Sequence, residues 1–434
     1  MALTPLHRAL GERGGALTFA MIERACAEKI DERADLDWKK VLPLSDEAEG
    51  DDAGRGDELA KDIAAMANGD GGLIVYGVDE ARGQDASHAD RIVTVGEVGS
   101  SILKQIRQVA NNLVYPPVSG LELTSLKSET SDESVLAMLV PSSDDAPHLV
   151  RPKGPNKKHW LAVPFRDGPE TEWMVERQIE DAYRRRLEIR RARERDLHEL
   201  HAGFVAGLKG RSWIALVARP VQPRVSRNRR LSPMAAKAIL DRVWNRPGQI
   251  LFFDLLRDRP VRPGLRRYRQ QGDRRLKAEG RAESHLRAVA EIHDDGSVCL
   301  AYSRGGWFGP KDADDDRFLA TDDFDPICMA LFRLVLGASQ SMRIASDYEI
   351  RLSVEGETPL FRRPDALIGY YQAFSAEDRL PPLQPIDGYL PVASGDPYYL
   401  GEALLELARD ACNQVGWHSA LDASELGNQL ILGH

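Results

Sequence analysis

The sequence predicts an α+β protein of two parts, a mixed α/β core followed by a second α+β domain. Three observations carry this. A helical stripe from Asp57 to Asn68 runs through a glycine turn into an apolar strand, Leu73 to Val78, the pattern of a helix packed on a sheet. Beyond residue 206, strand-like and helix-like segments follow one another with no internal repeat. Between them an arginine-rich helical stretch, Glu188 to Ala202, marks the boundary. The domains are then 1–190, a helical linker over 191–205, and 206–434. A chain of 434 residues with 42% hydrophobic content is long enough for two or three such units.

Each element has a local reason. Leu36 and Trp38 alternate with Asp37 and Lys39, so a short strand buries one face while the acid and the base share the other. Leu59, Ile63 and Met66 recur at helical spacing, and Asp57-Glu58 complements the dipole at the helix start. Asn68-Gly69 ends that helix, because both residues tolerate the left-handed conformation. Gly71-Gly72 continue the turn into the buried strand, and Asp79 caps its open end. In the second domain, Trp213–Ala218 reads as a strand, Met234–Trp244 as a short helix and Gln249–Leu256 as an apolar run. Ser284–Leu300 contains the hairpin signal Asp294-Asp295-Gly296. Ile327–Gly337 reads as a buried helix, Tyr348–Val354 as an alternating strand and Gly401–Val415 as an amphipathic helix.

One constellation carries chemistry. Glu32 precedes Asp37-Trp38-Lys39, the helix ends in Ala67-Asn68, and the Gly71-Gly72 turn leads to Gly77-Val78-Asp79. This order resembles the Schlafen-type AlbA-like DNA-binding domain family. Ile102–Val114 looks like that family's amphipathic helix, Tyr115-Pro116-Pro117 like its helix exit and Ser134–Pro141 like its later strand. His148–Arg166 and a helix over Thr171–Arg186 look like its closing segment, so the resemblance spans residues 15 to 190. The chain departs from the family where Asp37-Trp38 replaces a usual Glu-Phe. It also inserts a polar loop, Ser45 to Gly56, which reads as a surface excursion more than as a shield over the site.

The resemblance implies nucleic-acid binding. Members with nuclease activity match this chain at Glu32, Asp37 and Asp79, which would then be catalytic and metal-binding. Phosphodiester cleavage near neutral pH calls for a hard divalent cation on oxygen ligands, so Mg²⁺ or Mn²⁺ is the expected cofactor. Lys39 would stabilise charge on the phosphate and keep its neighbours ionised. Asn68, Gly71 and Gly72 form either a helix cap and tight turn or an approach for phosphate, and the cap is the better reading.

Other chemistries are set aside. Cys26, Cys299, Cys328 and Cys412 are widely spaced, so no zinc ribbon or disulfide framework is expected. His198-Glu199-Leu200-His201 lacks the spacing of a zincin motif, and no Gly-rich loop ends in Lys-Ser or Lys-Thr, so neither zinc nor ATP is expected. No apolar stretch approaches a bilayer span, and the start of the chain lacks a signal pattern. The expectation is a cytoplasmic protein with reduced thiols and no membrane partner.

A net charge of −9 argues against a generic nucleic-acid coat. Local clusters compete with it: Arg184 and Arg185 on the arginine-rich helix, Lys157 and Lys158, and Arg266, Arg267 and Arg269 around Tyr268. These are the candidate phosphate contacts, with Tyr268 stacking on a base. Glu180, Glu188 and Glu194 offer partners to the first cluster, which makes the group around Tyr268 the better candidate. Two functions follow. One is a metal-dependent endoribonuclease on structured RNA such as tRNA, which would need a homodimer to supply a second lobe. The other is a non-catalytic nucleic-acid-binding or regulatory protein, DNA included, whose second domain senses a ligand or partner. Convergence of Glu32, Asp37 and Asp79 separates them.

Overall fold

A parallel pair of short strands organises the first unit. In the computed structural model, which describes residues 3–45, 52–82, 87–151, 161–208, 210–223, 230–244, 251–276, 284–305, 317–344, 346–356, 359–365, 370–373, 383–394 and 396–421, the chain forms α1 (Pro5–Ala9), α2 (Phe19–Ala27), β1 (Leu36–Lys39), α3 (Asp52–Ala67) and β2 (Gly72–Tyr76). There follow β3 (Val78–Arg82), β4 (Ser87–Ile92), α4 (Ser100–Asn112), β5 (Val114–Tyr115), β6 (Glu122–Lys127), β7 (Ser134–Val140), β8 (Leu149–Val150), β9 (Pro164–Asp167), β10 (Glu170–Trp173) and α5 (Glu176–Val205). The central sheet has the order β1-β2-β7-β6. β1 and β2 run parallel, with Asp37 opposite Ile74 and Lys39 opposite Tyr76, and the other pairs are antiparallel. A parallel pair needs a crossover, and α3 supplies it.

Both faces of this sheet are covered. Leu36, Trp38, Leu73 and Val75 pack against Leu6, Phe19 and Ile22 of the first two helices. Ile74, Tyr76, Leu136 and Met138 pack against Leu59, Ile63 and Met66 of α3 and Ile106 of α4. Asp37 therefore does not lie on an open strand face as its alternation suggests: its face is roofed by α3.

Several boundaries differ from the sequence reading. α3 begins at Asp52, not Asp57, so part of the supposed insertion is helix. The left-handed residue of the turn is Gly71, at φ 78°, and not Asn68 or Gly69. The strand from Leu73 breaks at Gly77 (φ 100°) and Asp79 belongs to a separate hairpin, β3–β4. The closing helix starts at Glu176, after β10, and runs on to Val205.

The chain divides into two units, Met1–Arg191 and Ala192–His434, with the boundary inside α5. The second unit contains β11 (Trp213–Pro220), α6 (Pro233–Trp244), α7 (Leu251–Leu256), β12 (Val261–Gly264), β13 (Arg267–Leu276), β14 (Ser284–His293), β15 (Val298–Gly305) and β16 (Phe318–Ala320). It continues with α8 (Phe324–Met342), β17 (Tyr348–Glu355), β18 (Leu360–Asp365), β19 (Tyr370–Ala373), β20 (Ile386–Leu390) and α9 (Pro397–Gln414). Its main sheet has the order β12-β13-β14-β15-β11-β17-β20 and is antiparallel throughout. Alternate residues such as Leu286, Ala288, Ala290 and Ile292 meet the buried side chains of α6, α8 and α9. The opposite face, with Val289, Cys299 and Ala301, meets Leu197 and Phe204. The whole is an α+β fold.

Candidate functional site

Glu32, Asp37 and Lys39 come together at the open edge of β1. The backbone N–H of Trp38 donates to Glu32 Oε1 at 3.1 Å, so this carboxylate caps an edge amide that would otherwise lack a protein acceptor. The indole N–H of Trp38 donates to the Ile30 carbonyl at 3.1 Å. Tryptophan at this position thus fastens the edge strand to the preceding turn, which a phenylalanine cannot do. Lys39 Nζ donates to Asp37 Oδ1 at 3.0 Å, and Asp37 is only 2% exposed.

Two further residues complete the cluster. Arg166 on β9 places Nη2 3.3 Å from Asp37 Oδ2, with its own side chain 7% exposed. Asp62 on α3, largely enclosed and 3.8 Å from Lys61 Nζ, shares the field of Lys61 and Lys39 with Asp37. A readable signal for Asp62 existed: it lies three residues after Leu59 and four before Met66, so it falls on the buried stripe of α3. Arg166 had none, because only the fold brings β9 to Asp37.

Electrostatics divide the acids. Burial opposes the charge on Asp37, but Lys39 and Arg166 outweigh it and hold this carboxyl below its usual range. Burial and then the neighbouring Asp37 push Glu32 up to about 8. Burial and Asp37 push Asp62 up to about 6. Lys39 loses by burial and gains more from Asp37 and Asp62, so its ammonium is held above its usual value. At neutral pH the centre is an ionised Asp37 between two cations, with a protonated Glu32 at its side.

Asp79 is not part of it. Its carboxylate accepts from Arg91 Nη2 at 2.7 Å and from Lys40 Nζ at 3.4 Å; desolvation is the largest single influence and raises its pKa, but the two cations together outweigh it and hold the pKa down. The break at Gly77 is the physical reason, since it turns Asp79 into the β3–β4 hairpin. Among the described residues, Glu32, Asp37 and Asp79 do not bring ligand oxygens within 4.8 Å of one another. A hard divalent ion needs several converging oxygens, and these three acids do not converge. The residues present do not fit Mg²⁺ or Mn²⁺.

The glycine turn is built for packing. Asn68 donates through Nδ2 to the carbonyls of His148 (2.9 Å) and Pro164 (2.7 Å), and its Oδ1 accepts from His148 N–H at 2.6 Å. It clamps the segment leading to β8 and β9 onto the end of α3. A Cβ at Gly71 would come 2.6 Å from the Ser142 nitrogen, and one at Gly72 would come 1.9 Å from Met66 Sδ. Both glycines allow close approach within the fold.

The basic candidates separate in the same way. Tyr268 donates its hydroxyl to the Leu231 carbonyl at 2.9 Å and packs on the core, so it is not a stacking platform. Arg267 and Arg269 each place Nη1 3.2 Å from Glu291, on the neighbouring strand. Sequence proximity could not reveal that acid, since the register of β13 with β14 supplies it. Arg266 is an exposed turn residue at φ 55°. Arg184 pairs with Glu180 (2.6 Å) and Asp181 (3.4 Å) along its own helix, while Arg185 is exposed. Lys157 and Lys158 lie outside the described residues.

The fold and the buried Asp37 define the class: a mixed α/β core whose first strand carries a charged centre beneath a crossover helix. Residues 32–174 match the family model described as Schlafen, AlbA_2. The match lies within the first unit and ends just before α5. No curated protein matches the chain. Among solved structures, the N-terminal domain of a RecG-related protein from Nitrosomonas europaea is similar at 17% identity and a TM-score of 0.23, covering 34% of this chain and 88% of that one. No helix among the described residues is long and apolar enough to cross a membrane.

Proposed function

We propose that the first unit is a nucleic-acid-binding module that docks its ligand without cutting it, and that the protein acts as a nucleic-acid-dependent regulator. One observation carries the non-cutting reading: the Asp37 carboxylate is enclosed and matched by Lys39 and Arg166, while Asp79 is engaged elsewhere. The docking surface is best supplied by β10 and the start of α5. Trp173 and Tyr183 are 39% and 41% exposed there. Arg177 and Arg185 are exposed and have no ion-pair partner among the described residues. Exposed arginines and exposed aromatic rings on this segment are the two kinds of contact a single strand uses, phosphates on the arginines and bases stacked on the rings. The second unit would sense a ligand or partner.

The test incubates the full chain with labelled tRNA, single-stranded DNA and double-stranded DNA, with Mn²⁺ or with chelator, and reads both anisotropy and strand integrity. Salt-dependent binding that weakens in Arg185→Glu and Tyr183→Ala, with the strands intact, supports the reading. Metal-dependent cleavage lost in Glu32→Ala overturns it.

A second reading, an endoribonuclease on structured RNA such as tRNA, keeps one observation in its favour. A protonated Glu32 beside an ionised Asp37 is the split pair that acid–base chemistry uses. It requires a preference for RNA and a homodimer, which the same incubation and a sedimentation measurement would detect.

A further inference from the structure

In the second unit, Glu291 and His293 on β14 and Cys299 on β15 flank the hairpin at Asp294-Asp295-Gly296. Glu291 stands opposite Cys299 in the register. Alternation puts all three on the sheet face that meets Leu197 and Phe204, opposite the face of Ala290 and Ile292. One oxygen, one nitrogen and one sulfur lie within 4.8 Å of one another. We propose that Glu291, His293 and Cys299 form a binding site for a divalent transition-metal ion of borderline softness, Zn²⁺ being the type.

The spacing is that of a coordination shell. His293 Nε2 is 3.3 Å from Glu291 Oε2 and 3.7 Å from Cys299 Sγ. Bonds of about 2.0 Å to N and O and about 2.3 Å to S, set at tetrahedral angles, give ligand separations of about 3.3 and 3.5 Å. Both neighbours approach the same ring nitrogen. An imidazole nitrogen offers one hydrogen or one lone pair, so it can satisfy only one of them, whereas a cation at the point of convergence satisfies all three.

Glu291 is 0% exposed, and Arg269 Nη1 holds its Oε1 while Arg267 Nη1 holds its Oε2, each at 3.2 Å. On binding, the partly exposed Arg267 yields Oε2 to the ion. Arg269 stays on Oε1 as the outer partner that orients a ligating carboxylate. Cys299 binds as thiolate and its proton passes to solvent, with no change of oxidation state. Three protein ligands leave one position for water. No sequence motif marks this site, because the histidine and cysteine meet only across a hairpin and no paired cysteine spacing announces them.

The experiment strips the full-length protein with chelator and titrates it with Co²⁺, a spectroscopic stand-in for Zn²⁺. The expected result is one equivalent bound, a thiolate-to-metal charge-transfer band, and displacement by Zn²⁺. Cys299→Ser removes the band, and His293→Gln weakens affinity about tenfold or more. Absence of the band in the wild-type chain overturns the proposal, and so does a band that survives Cys299→Ser. If Cys299→Ser fails to fold by circular dichroism, the more accessible His293→Gln decides: unchanged affinity overturns the site.

Discussion

Arg166 reaches Asp37 across the first unit, Nη2 to Oδ2 at 3.3 Å, and both side chains are almost wholly enclosed. The contact ties β9, which arrives late in the chain, to the edge strand β1. Lys39 supplies the second cation from the same strand. A buried carboxylate matched this way is costly to disturb from either side, because removing one member leaves another charged and unpaired.

Arg166→Met should therefore destabilise the protein by about 3–5 kcal/mol, the range for breaking a buried pair. Adding Asp37→Asn to it should recover part of that loss, since the orphaned charge is then gone. A double-mutant cycle in urea at neutral pH measures this. A coupling of about 1–3 kcal/mol is expected for residues in one network, and strict additivity would show that the two do not interact.

Glu32 sets a pH dependence. In the unfolded chain it ionises near 4.5 and in the folded chain near 8. Between those values the unfolded state has released a proton that the folded state keeps, so stability is full below pH 4.5, falls as pH rises, and levels off above 8. Each pH unit is worth at most about 1.4 kcal/mol, and less here, because Glu32 is only partly buried and solvent screens it. Glu32→Gln keeps the shape and stays neutral. Relative to wild type it should gain stability across this window, measured by urea unfolding at each pH. Parallel curves for the two proteins would refute the shift. Asp37 contributes with the opposite sign, since its depressed pKa adds stability that disappears on acidification.

The centre was legible where local order dictates geometry. Strand alternation put Asp37 and Lys39 on one face, and the helical stripe of Leu59, Ile63 and Met66 found the crossover helix. What it missed depends on distant partners. Glu291 neutralises Arg267 and Arg269 through strand register, and Arg166 approaches Asp37 only once β9 folds under α3. Tyr268, polar and flanked by arginines in sequence, turns inward because its strand neighbours alternate between the core and the opposite face. Gly77 misled for another reason: an apolar run that reads as one strand is broken by a single residue at positive φ.

Asn68→Ala should lower stability by about 2–4 kcal/mol. It removes three hydrogen bonds and strands the buried His148 N–H without its acceptor. If the side chain is a clamp, affinity for single-stranded DNA, read by anisotropy well below the melting temperature, should not change. A loss of affinity with stability intact would restore the phosphate-approach role.

Asp79→Ala distinguishes the two functional readings most directly. Among the described residues its carboxylate pairs with the well-solvated Arg91 and Lys40, and exposed pairs of this kind contribute little to stability. Its removal also frees two cations on the surface of a chain with a net charge of −9. The binding reading therefore expects an unchanged melting temperature, with affinity for tRNA or DNA equal to wild type or slightly higher and a steeper dependence on salt. The endoribonuclease reading expects unchanged binding and lost cleavage. Anisotropy across a salt series, run beside a gel assay of strand integrity, reports both quantities from one preparation. Cleavage by wild type that disappears in Asp79→Ala would mean that Asp79 leaves Arg91 and Lys40 to join Asp37 when nucleic acid binds.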